Sequence, residues 1–185
     1  LKKELAEYLF CSASDTEVLL AAYAKWGKEC LKKLNGQFAF AIYDIKERAL
    51  FAARDHFGIK PFYYAIQNNA LLFASEIKGL LALGVPARPK ERIIYEYLAF
   101  GLYDHSESTF FGGIKSLPPG HFLEYKDGRL SVVSYWDLKD RDSAQGAGNW
   151  KEVAEQFLAL LEDAVSLQFR ADVPVGLNLS AGIDS

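Results

Sequence analysis

The 185-residue sequence contains no methionine, even at position 1, and only two cysteines, Cys11 and Cys30. Two cysteines at this separation provide neither the spacing of a metal site nor a disulfide framework, which excludes the small domains that depend on either. A reducing, cytoplasmic setting is therefore expected. The missing methionine predicts that the natural start codon lies upstream of Leu1 or was removed.

Long apolar runs and an excess of one charge are also missing. No stretch reaches the roughly 18 consecutive apolar residues that a membrane span needs, and the first residues lack the apolar centre of a signal peptide. The chain has 21 basic and 24 acidic residues, a net charge of −3, which argues against nucleic acid or an anionic membrane as a partner. Half of the residues are apolar and 14% are aromatic. This composition supports a packed core, and the length allows one domain and the start of another.

Hydrophobic periodicity predicts an α+β domain, a linker and a second, incomplete unit. Apolar residues at helical spacing predict helices over 15–34 (interrupted at Gly27), 76–83, 91–100 and 150–168. Short apolar runs between turn residues predict strands over 37–43, 49–53, 62–66, 71–74, 114–117, 121–125, 129–136 and 173–177. Gln67-Asn68-Asn69 predicts a hairpin turn between the strands at 62–66 and 71–74. Residues 139–149 have no apolar period and form the best candidate for a linker.

The last residues combine small, acidic and hydroxyl side chains directly after the predicted strand at 173–177. A loop of small residues lets backbone N–H groups close around an anion, and Ser180 and Ser185 could add hydroxyl donors. Gly182 would allow close approach of the backbone, and Asp184 could hold Mg²⁺. A glycine-containing turn between a strand and a helix explains the same residues equally well, so the pattern alone leaves both interpretations open.

Several segments, in order along the chain, resemble the glutamine-hydrolysing asparagine synthetase family. Residues 180–185, Ser-Ala-Gly-Ile-Asp-Ser, are similar to the pyrophosphate loop of ATP-pyrophosphatase enzymes, usually Ser-Gly-Gly-x-Asp-Ser, and Asp-Val-Pro-Val-Gly precedes them. The upstream segments that resemble the class II glutaminase domain of this family are 14–17 (Ser-Asp-Thr-Glu), 34–41 (Leu-Asn-Gly-Gln-Phe-Ala-Phe-Ala), 54–64 (Arg-Asp-His-Phe-Gly-Ile-Lys-Pro-Phe-Tyr-Tyr), 73–80 and 117–121. The resemblance covers nearly the whole chain.

The resemblance implies a four-layer αββα fold of the N-terminal-nucleophile hydrolase type, incomplete at its N-terminus, over residues 1–138. Residues 139–149 would be the linker, and 150–185 the first helix and strand of a Rossmann-like α/β synthetase domain. In such enzymes the first domain hydrolyses glutamine and supplies ammonia to the second. There ATP activates aspartate as aspartyl-AMP, and ammonia converts it to asparagine. Glutamine, aspartate, ATP and Mg²⁺ are the implied ligands, and a homodimer is left open.

The resemblance also implies roles for individual residues. The acid of the Ser-Asp-x-Glu segment points to Asp15 as the partner of the α-ammonium group of glutamine, since an ammonium requires a fixed carboxylate. A helix N-cap at Ser14 or Asp15 is the alternative. The loop residues expected to bind ATP or pyrophosphate are Asn178, Ser180, Gly182, Asp184 and Ser185. Among these, Asp184 is the expected Mg²⁺ ligand.

Other polar residues in the family motifs are expected to serve the fold. The motif at 54–64 contains Arg54, Asp55, Gly58 and Pro61. A charged pair, a glycine turn and a proline before a strand indicate architecture rather than catalysis. His56 and His121 are flanked by aromatic residues or lie near them, and they are expected to be packed or surface residues rather than acid–base groups.

The chain departs from the family in three places. The family's nucleophile is an N-terminal cysteine whose α-amino group is the base, whereas residue 1 here is Leu, and neither Cys11 nor Cys30 fits that role. No catalytic residue is therefore expected in this chain. Ala181 replaces the second glycine of the loop, and its Cβ would crowd the phosphate if this position required a positive φ. The rest of the synthetase domain, with its aspartate site, would follow Ser185.

Two classes of function follow from these patterns. The first is a fragment of a glutamine-dependent asparagine synthetase-like enzyme, inactive by itself, with family relatives that amidate other acceptors as a variant. The second is a degenerate, non-catalytic module that binds an amino acid or a partner subunit, suggested by Ala181 and the missing nucleophile. Residues 173–179 are expected to associate or to lose order, because the neighbouring strands of a parallel sheet would be missing.

Overall fold

The computed structural model describes residues 1–138 and 149–182. The chain separates into two compact units, one ending at Asp140 and the other beginning at Arg141. The predicted linker at 139–149 lies outside the described residues except for Asn149. No described helix is both long and apolar enough to cross a membrane.

The first unit alternates helices and antiparallel strands in the predicted order. Its described strands are β1 Ala39–Asp44, β2 Ala49–Arg54, β3 Tyr63–Gln67, β4 Ala70–Ala74, β5 Lys115–Ser116, β6 His121–Lys126 and β7 Arg129–Ser134. Its helices are α1 Asp15–Trp26, α2 Ile77–Ala82 and α3 Glu91–Phe100, with short 3-10 helices at Lys2–Leu5 and Gly27–Lys33. Each of these strands begins and ends within two residues of its predicted position.

The first long helix is shorter than predicted. The sequence predicts a helix over 15–34, whereas α1 ends at Trp26 and a 3-10 helix continues over Gly27–Lys33. Gly27 has a φ of +56° and donates its N–H to the carbonyl oxygen of Tyr23. A glycine with a positive φ commonly ends an α-helix in this way, because it bears no Cβ to strain. The interruption was predicted from the glycine, but the change of helix type was not.

The strands form two antiparallel sheets, with the orders β1-β2-β6-β7 and β4-β3-β5. The β3–β4 hairpin turns at Asn68 and Asn69, whose φ angles are +50° and +59°. Asparagine tolerates this left-handed conformation, and two such residues in succession match the turn that two-residue hairpins prefer. The hairpin predicted at these asparagines is therefore confirmed.

Successive side chains of the strands pack alternately against helices and against the other sheet, so the two sheets lie between layers of helices. In β2, Phe51 and Ala53 pack in a cluster with residues of α1, whereas Ala52 packs in a cluster with Tyr64 of β3. The next residue of β3, Ala65, belongs to a third cluster that contains residues of α2. Successive side chains of a strand point to opposite faces of a sheet. The layers therefore run helix, sheet, sheet, helix, which confirms the predicted αββα arrangement.

The second unit begins with α4, Trp150–Gln168, which matches its predicted bounds. The Asn149 side chain caps this helix and accepts a hydrogen bond from the Lys151 N–H at 3.2 Å. The strand predicted at 173–177 is absent from the structure, where these residues have no regular conformation. A strand is held by hydrogen bonds to its neighbours, and the described part of this unit contains no other strand to provide them. The expectation that 173–179 associate or lose order stays a prediction.

Candidate functional site

A cleft of about 790 Å³ opens beside the start of α1. Its charged lining side chains are Asp15, Lys2 and Lys60. A carboxylate accompanied by ammonium groups suits a small ligand that carries both charges. The lining comes from separate parts of the chain: residues 1–2, parts of 13–19, residues 34–40, residues 60–61 and Ser75.

Asp15 lies in this cleft as the first residue of α1. The N-cap is Ser14, whose Oγ accepts a hydrogen bond from the Thr16 N–H at 3.2 Å. The helix therefore begins without the Asp15 carboxylate, which has a long contact of 3.5 Å from the Thr16 hydroxyl. A negative side chain is also favourable at this position, because the helix N-terminus carries partial positive charge. Asp15 thus presents an exposed carboxylate to the cleft.

Glu17 holds the loop that precedes α1. Its carboxylate accepts hydrogen bonds from the Cys11 N–H at 2.8 Å and from the Ser12 N–H at 2.7 Å. The Ser12 hydroxyl donates to the same carboxylate at 2.5 Å. The hydrogen bond from Cys11, followed by that from the Ser12 hydroxyl, lowers the pKa of Glu17 below its usual value. Ser14 and Glu17 therefore fix the backbone around Asp15 and leave its carboxylate to the cleft.

The carboxylate of Asp55 is buried, with 1% of the residue exposed. Its Oδ1 accepts hydrogen bonds from the N–H groups of Phe57 at 3.2 Å and Ile59 at 3.0 Å. Its Oδ2 accepts from the N–H groups of Phe38 at 3.3 Å and Lys60 at 2.9 Å. Four backbone donors satisfy both oxygens of this buried group, which is the condition for burying a carboxylate without a paired cation.

The Arg54 guanidinium binds main-chain and hydroxyl oxygens. It donates to the carbonyl oxygens of Gly58 at 2.6 Å and Lys60 at 2.8 Å. It also donates to the carbonyl oxygen of Leu117 at 2.7 Å and to the Ser116 hydroxyl at 3.0 Å. These contacts agree with the architectural role predicted for Arg54 and Asp55.

The two histidines of the family motifs are not among the residues that line the cleft. The His56 ring packs edge-on against Tyr135 and Trp136, with ring centres 5.5 and 5.2 Å away. His121 places its Nδ1 2.7 Å from the carbonyl oxygen of Pro119. Both arrangements agree with the packed or surface positions predicted for them.

Tyr135, which packs against His56, is itself tied to the end of β2. Its hydroxyl donates to the Arg54 carbonyl oxygen at 2.8 Å. Burial, helped by the Asp55 carboxylate, raises the pKa of this hydroxyl.

Both cysteines are free thiols, and neither lines the cleft. Cys30 is completely buried, and burial raises the pKa of its thiol to about 11. Cys11 is exposed in the loop that Glu17 holds. A thiolate rather than a thiol is the nucleophile, and Cys30 is both inaccessible and protonated at neutral pH.

The loop at the end of the second unit is described only in part. Its predicted ligands for ATP or pyrophosphate are Asn178, Ser180, Gly182, Asp184 and Ser185. The last two, including the predicted Mg²⁺ ligand, lie outside the described residues. The Ser180 hydroxyl accepts a hydrogen bond from the Gly182 N–H at 3.2 Å. Ala181 is not among the described non-glycine residues with positive φ. In this structure its Cβ therefore causes none of the backbone strain that a positive φ would bring.

Within residues 1–138 and 149–182, no group of three or more His, Cys, Asp or Glu side chains is placed to hold a metal ion. The role of Asp184 as an Mg²⁺ ligand stays a prediction.

Two segments that line the cleft, residues 34–40 and 60–61, were not predicted from the sequence to belong to a binding site. Asn35 and Gly36 are predicted only as a turn, and Lys60 only as part of an architectural motif. Both segments belong to family motifs, at 34–41 and 54–64, which is the signal that could have identified them. Because the two walls are remote from each other along the chain, only the fold shows that both line the same cleft as Asp15.

Two family models match the chain. The model of the glutamine amidotransferase domain matches residues 1–136. The model of asparagine synthase matches residues 156–185.

Individual relatives agree with these matches. The glutamine-hydrolysing asparagine synthetase 3 of Bacillus subtilis is 38% identical over 100% of this chain, which spans 30% of that protein. Amidase chry2 of Gibberella zeae is also 38% identical over 100% of this chain, which spans 27% of it. A solved structure of glutamine phosphoribosylpyrophosphate amidotransferase from B. subtilis matches 73% of this chain and 26% of its own, with a TM-score of 0.52 and 21% identity. At that identity the structural likeness shows the fold alone.

Proposed function

The chain belongs to the glutamine amidotransferase domain family, and from this we propose that residues 1–138 form the glutamine-binding domain of an enzyme that takes ammonia from glutamine. The observation that carries the proposal is the Asp15 carboxylate, which lies in the cleft while Ser14 and Glu17 stabilise the backbone around it. A fixed carboxylate is the natural partner of the α-ammonium group of an amino acid. Asp15 is accordingly the proposed glutamine-binding residue.

Residues 150–185 are proposed to begin the ATP-dependent synthetase domain, with 139–149 as the linker. The match of the asparagine synthase model and the amphipathic helix α4 support this division. The amide of Asn178, the hydroxyl of Ser180 and the small residues beside them are a donor set that suits a pyrophosphate group. Bound ATP with Mg²⁺, for which Asp184 is the proposed ligand, would supply the activation of a carboxyl group. Aspartate is the proposed acceptor and asparagine the proposed product.

We infer that the nucleophile for glutamine hydrolysis is supplied by a residue outside this chain. Of the two thiols in residues 1–185, Cys30 is buried and protonated, and Cys11 does not line the cleft. The 185-residue chain by itself is therefore proposed to bind the amino acid without hydrolysing it. Glutaminase turnover by the purified 185-residue chain would contradict this part of the proposal.

Asp15→Asn tests the glutamine site in the polypeptide expressed with its flanking coding sequence. Loss of the charge that pairs with the α-ammonium group should raise the KM for glutamine by about tenfold or more, the size expected for a charge-assisted hydrogen bond. Asparagine formation from ammonium salts, which bypasses the cleft, reports whether the protein is folded. Glu7→Gln, which removes an exposed carboxylate outside the cleft, is the matched control. An unchanged KM in Asp15→Asn would refute the assignment.

The similarity to amidase chry2 supports a second candidate, in which the carboxylic acid that receives the ammonia is not aspartate. That protein is as similar to this chain as the asparagine synthetase, so residues 1–185 are compatible with amidation of an acid other than aspartate. Pyrophosphate release measured with glutamine, ATP and a panel of carboxylic acids separates the two candidates. Release that depends on aspartate supports asparagine synthesis, and release with another acid alone supports the second candidate.

The proposed setting is the cytoplasm. Two free thiols are compatible with a reducing compartment. The net charge of −3 does not favour nucleic acid or an anionic membrane as a partner. The proposed partners are therefore the three small substrates glutamine, aspartate and ATP, and a homodimer remains a proposal that the mass of the purified protein in solution would test.

A further inference from the structure

Two walls of the cleft share a single hydrogen-bond acceptor. Phe38 lies in the wall formed by residues 34–40, and Lys60 lies in the wall formed by residues 60–61. The N–H groups of both residues donate to Oδ2 of Asp55, at 3.3 and 2.9 Å. Asp55 is itself outside the cleft lining and is almost completely buried. One buried oxygen atom therefore joins two parts of the cleft that are remote in sequence.

The carbonyl groups of the same two wall residues are also held by Asp55 and its neighbour Arg54. The Asp55 N–H donates to the carbonyl oxygen of Phe38 at 2.8 Å. The Arg54 guanidinium donates to the carbonyl oxygen of Lys60 at 2.8 Å. Each wall residue is thus fixed at both its N–H and its C=O. A residue whose backbone is held at both groups has little freedom to move relative to its partner, so the separation of the two walls depends on Asp55.

We propose that Asp55 is a positioning residue of the glutamine site: its carboxylate sets the width of the cleft in which Asp15 binds the amino acid. The inference rests on the proposed function for the identity of the ligand. It goes beyond the architectural role predicted from the sequence. An architectural role requires only that substitution of Asp55 lower the stability of the fold. A positioning role requires that a substituted protein that still folds bind glutamine less tightly. A displacement of about 1 Å in a binding site is enough to lower activity substantially.

The chemistry of an amide shows why Asp55→Asn is the informative substitution. A carboxylate accepts hydrogen bonds on two oxygens, whereas a carboxamide accepts on one and donates from the other position. In this variant the introduced NH₂ group would face two N–H donors, either those of Phe57 and Ile59 or those of Phe38 and Lys60. The substitution therefore preserves the volume of the side chain and removes one of its two pairs of contacts.

The experiment measures glutamine kinetics of Asp55→Asn in the polypeptide with its flanking coding sequence. The expected result is a rise in the KM for glutamine on the order of tenfold, with a smaller change in kcat and with ammonia-dependent synthesis retained. The control is Leu80→Ala, which opens a cavity in the buried cluster that contains residues of α2; Leu80 is not among the residues that line the cleft. Leu80→Ala should lower thermal stability and leave the KM unchanged.

Hydrogen–deuterium exchange in the same proteins gives a readout that does not need turnover. Exchange should increase in peptides containing Phe38 or Lys60 in Asp55→Asn and stay unchanged there in Leu80→Ala. Asp55→Ala removes both pairs of contacts, and with them the carboxylate's link between the two walls, whichever way the amide of Asp55→Asn turns. An unaltered KM together with unaltered exchange in both Asp55→Asn and Asp55→Ala overturns the inference, as does an equal rise of KM in Leu80→Ala. If the unsubstituted protein does not use glutamine, the proposed function fails, and the exchange result alone decides whether Asp55 positions the two walls.

Discussion

The Arg54 guanidinium donates a hydrogen bond of 2.7 Å to the carbonyl oxygen of Leu117 and thereby joins the two sheets of the first unit. Arg54 is the last residue of β2 in the four-stranded sheet, and Leu117 directly follows β5 in the three-stranded sheet. The same guanidinium binds the Ser116 hydroxyl within β5. The stacking of the sheets is therefore specified by a directional polar contact as well as by the apolar side chains between them.

Arg54→Met should strongly destabilise the first unit. Methionine retains much of the length of the side chain but leaves the carbonyl oxygens of Gly58, Lys60 and Leu117 without their donor. We expect the free energy of unfolding to fall by about 3 kcal/mol, because the carbonyl oxygens of buried Leu117 and half-buried Gly58 lose a charged donor and incur a desolvation cost. Denaturant unfolding followed by circular dichroism measures the change. Arg129→Met, at an exposed position of β7, is the matched control and should change stability by less than about 0.5 kcal/mol.

Gly120→Ala should be more destabilising than Gly101→Ala, although both glycines have left-handed backbones with φ of +65° and +72°. A Cβ at Gly120 would lie 2.6 Å from the carbonyl oxygen of Trp136, whereas a Cβ at Gly101 would meet nothing within 4 Å. Gly101→Ala should lose about 1 kcal/mol from backbone strain alone, and Gly120→Ala about 3 kcal/mol, since overpacking is added. Equal melting temperatures for the two variants would contradict this account.

Local patterns predicted most of the described helices and strands well, for physical reasons visible at particular residues. The bounds of α3 and α4 follow from apolar residues at helical spacing, which is the pattern of a helix with one apolar face. The hairpin at Asn68 and Asn69 was predictable because few residues other than glycine and asparagine adopt left-handed conformations readily. The strand at 173–177 was predicted from the same kind of pattern and is not formed, because a strand depends on partners that its own sequence does not contain.

The candidate site was predictable only in part. Asp15 was indicated by the family motif that contains it, and the fold supports its presence in a cleft. The hydrogen bonds of Asp55 to the cleft walls were not predictable, since its carboxylate accepts them from N–H groups of residues up to 17 positions away. Every residue except proline carries a backbone N–H, so residue types do not reveal which N–H groups will donate to a buried carboxylate. The sequence therefore shows that Asp55 is present but not which residues its carboxylate binds.

The two thiols should differ sharply in reactivity. Cys11 is exposed, whereas Cys30 is buried and has its pKa raised to about 11 by that burial. At a pH of about 8 only a small fraction of Cys30 would be thiolate, and reagent access requires unfolding. Alkylation with iodoacetamide followed by mass spectrometry should therefore label one thiol of the native chain and two in denaturant. Cys11→Ser should abolish the native-state labelling, and rapid labelling of that variant would show that Cys30 is accessible.

The loop before α1 should loosen in acid through the titration of Glu17. Hydrogen bonds from Cys11 and Ser12 lower the pKa of this carboxyl from the ordinary value of 4.5. A lowered pKa in the folded state means that the stabilisation is complete above about pH 4.5 and is lost as the pH falls through the folded value. Exchange of the Cys11 and Ser12 amide protons, followed by NMR, should therefore accelerate below that pH beyond the intrinsic trend. Glu17→Gln should remove the acid-dependent step, and the exposed Glu7→Gln should preserve it; a step of equal size in both variants would assign the titration to another group.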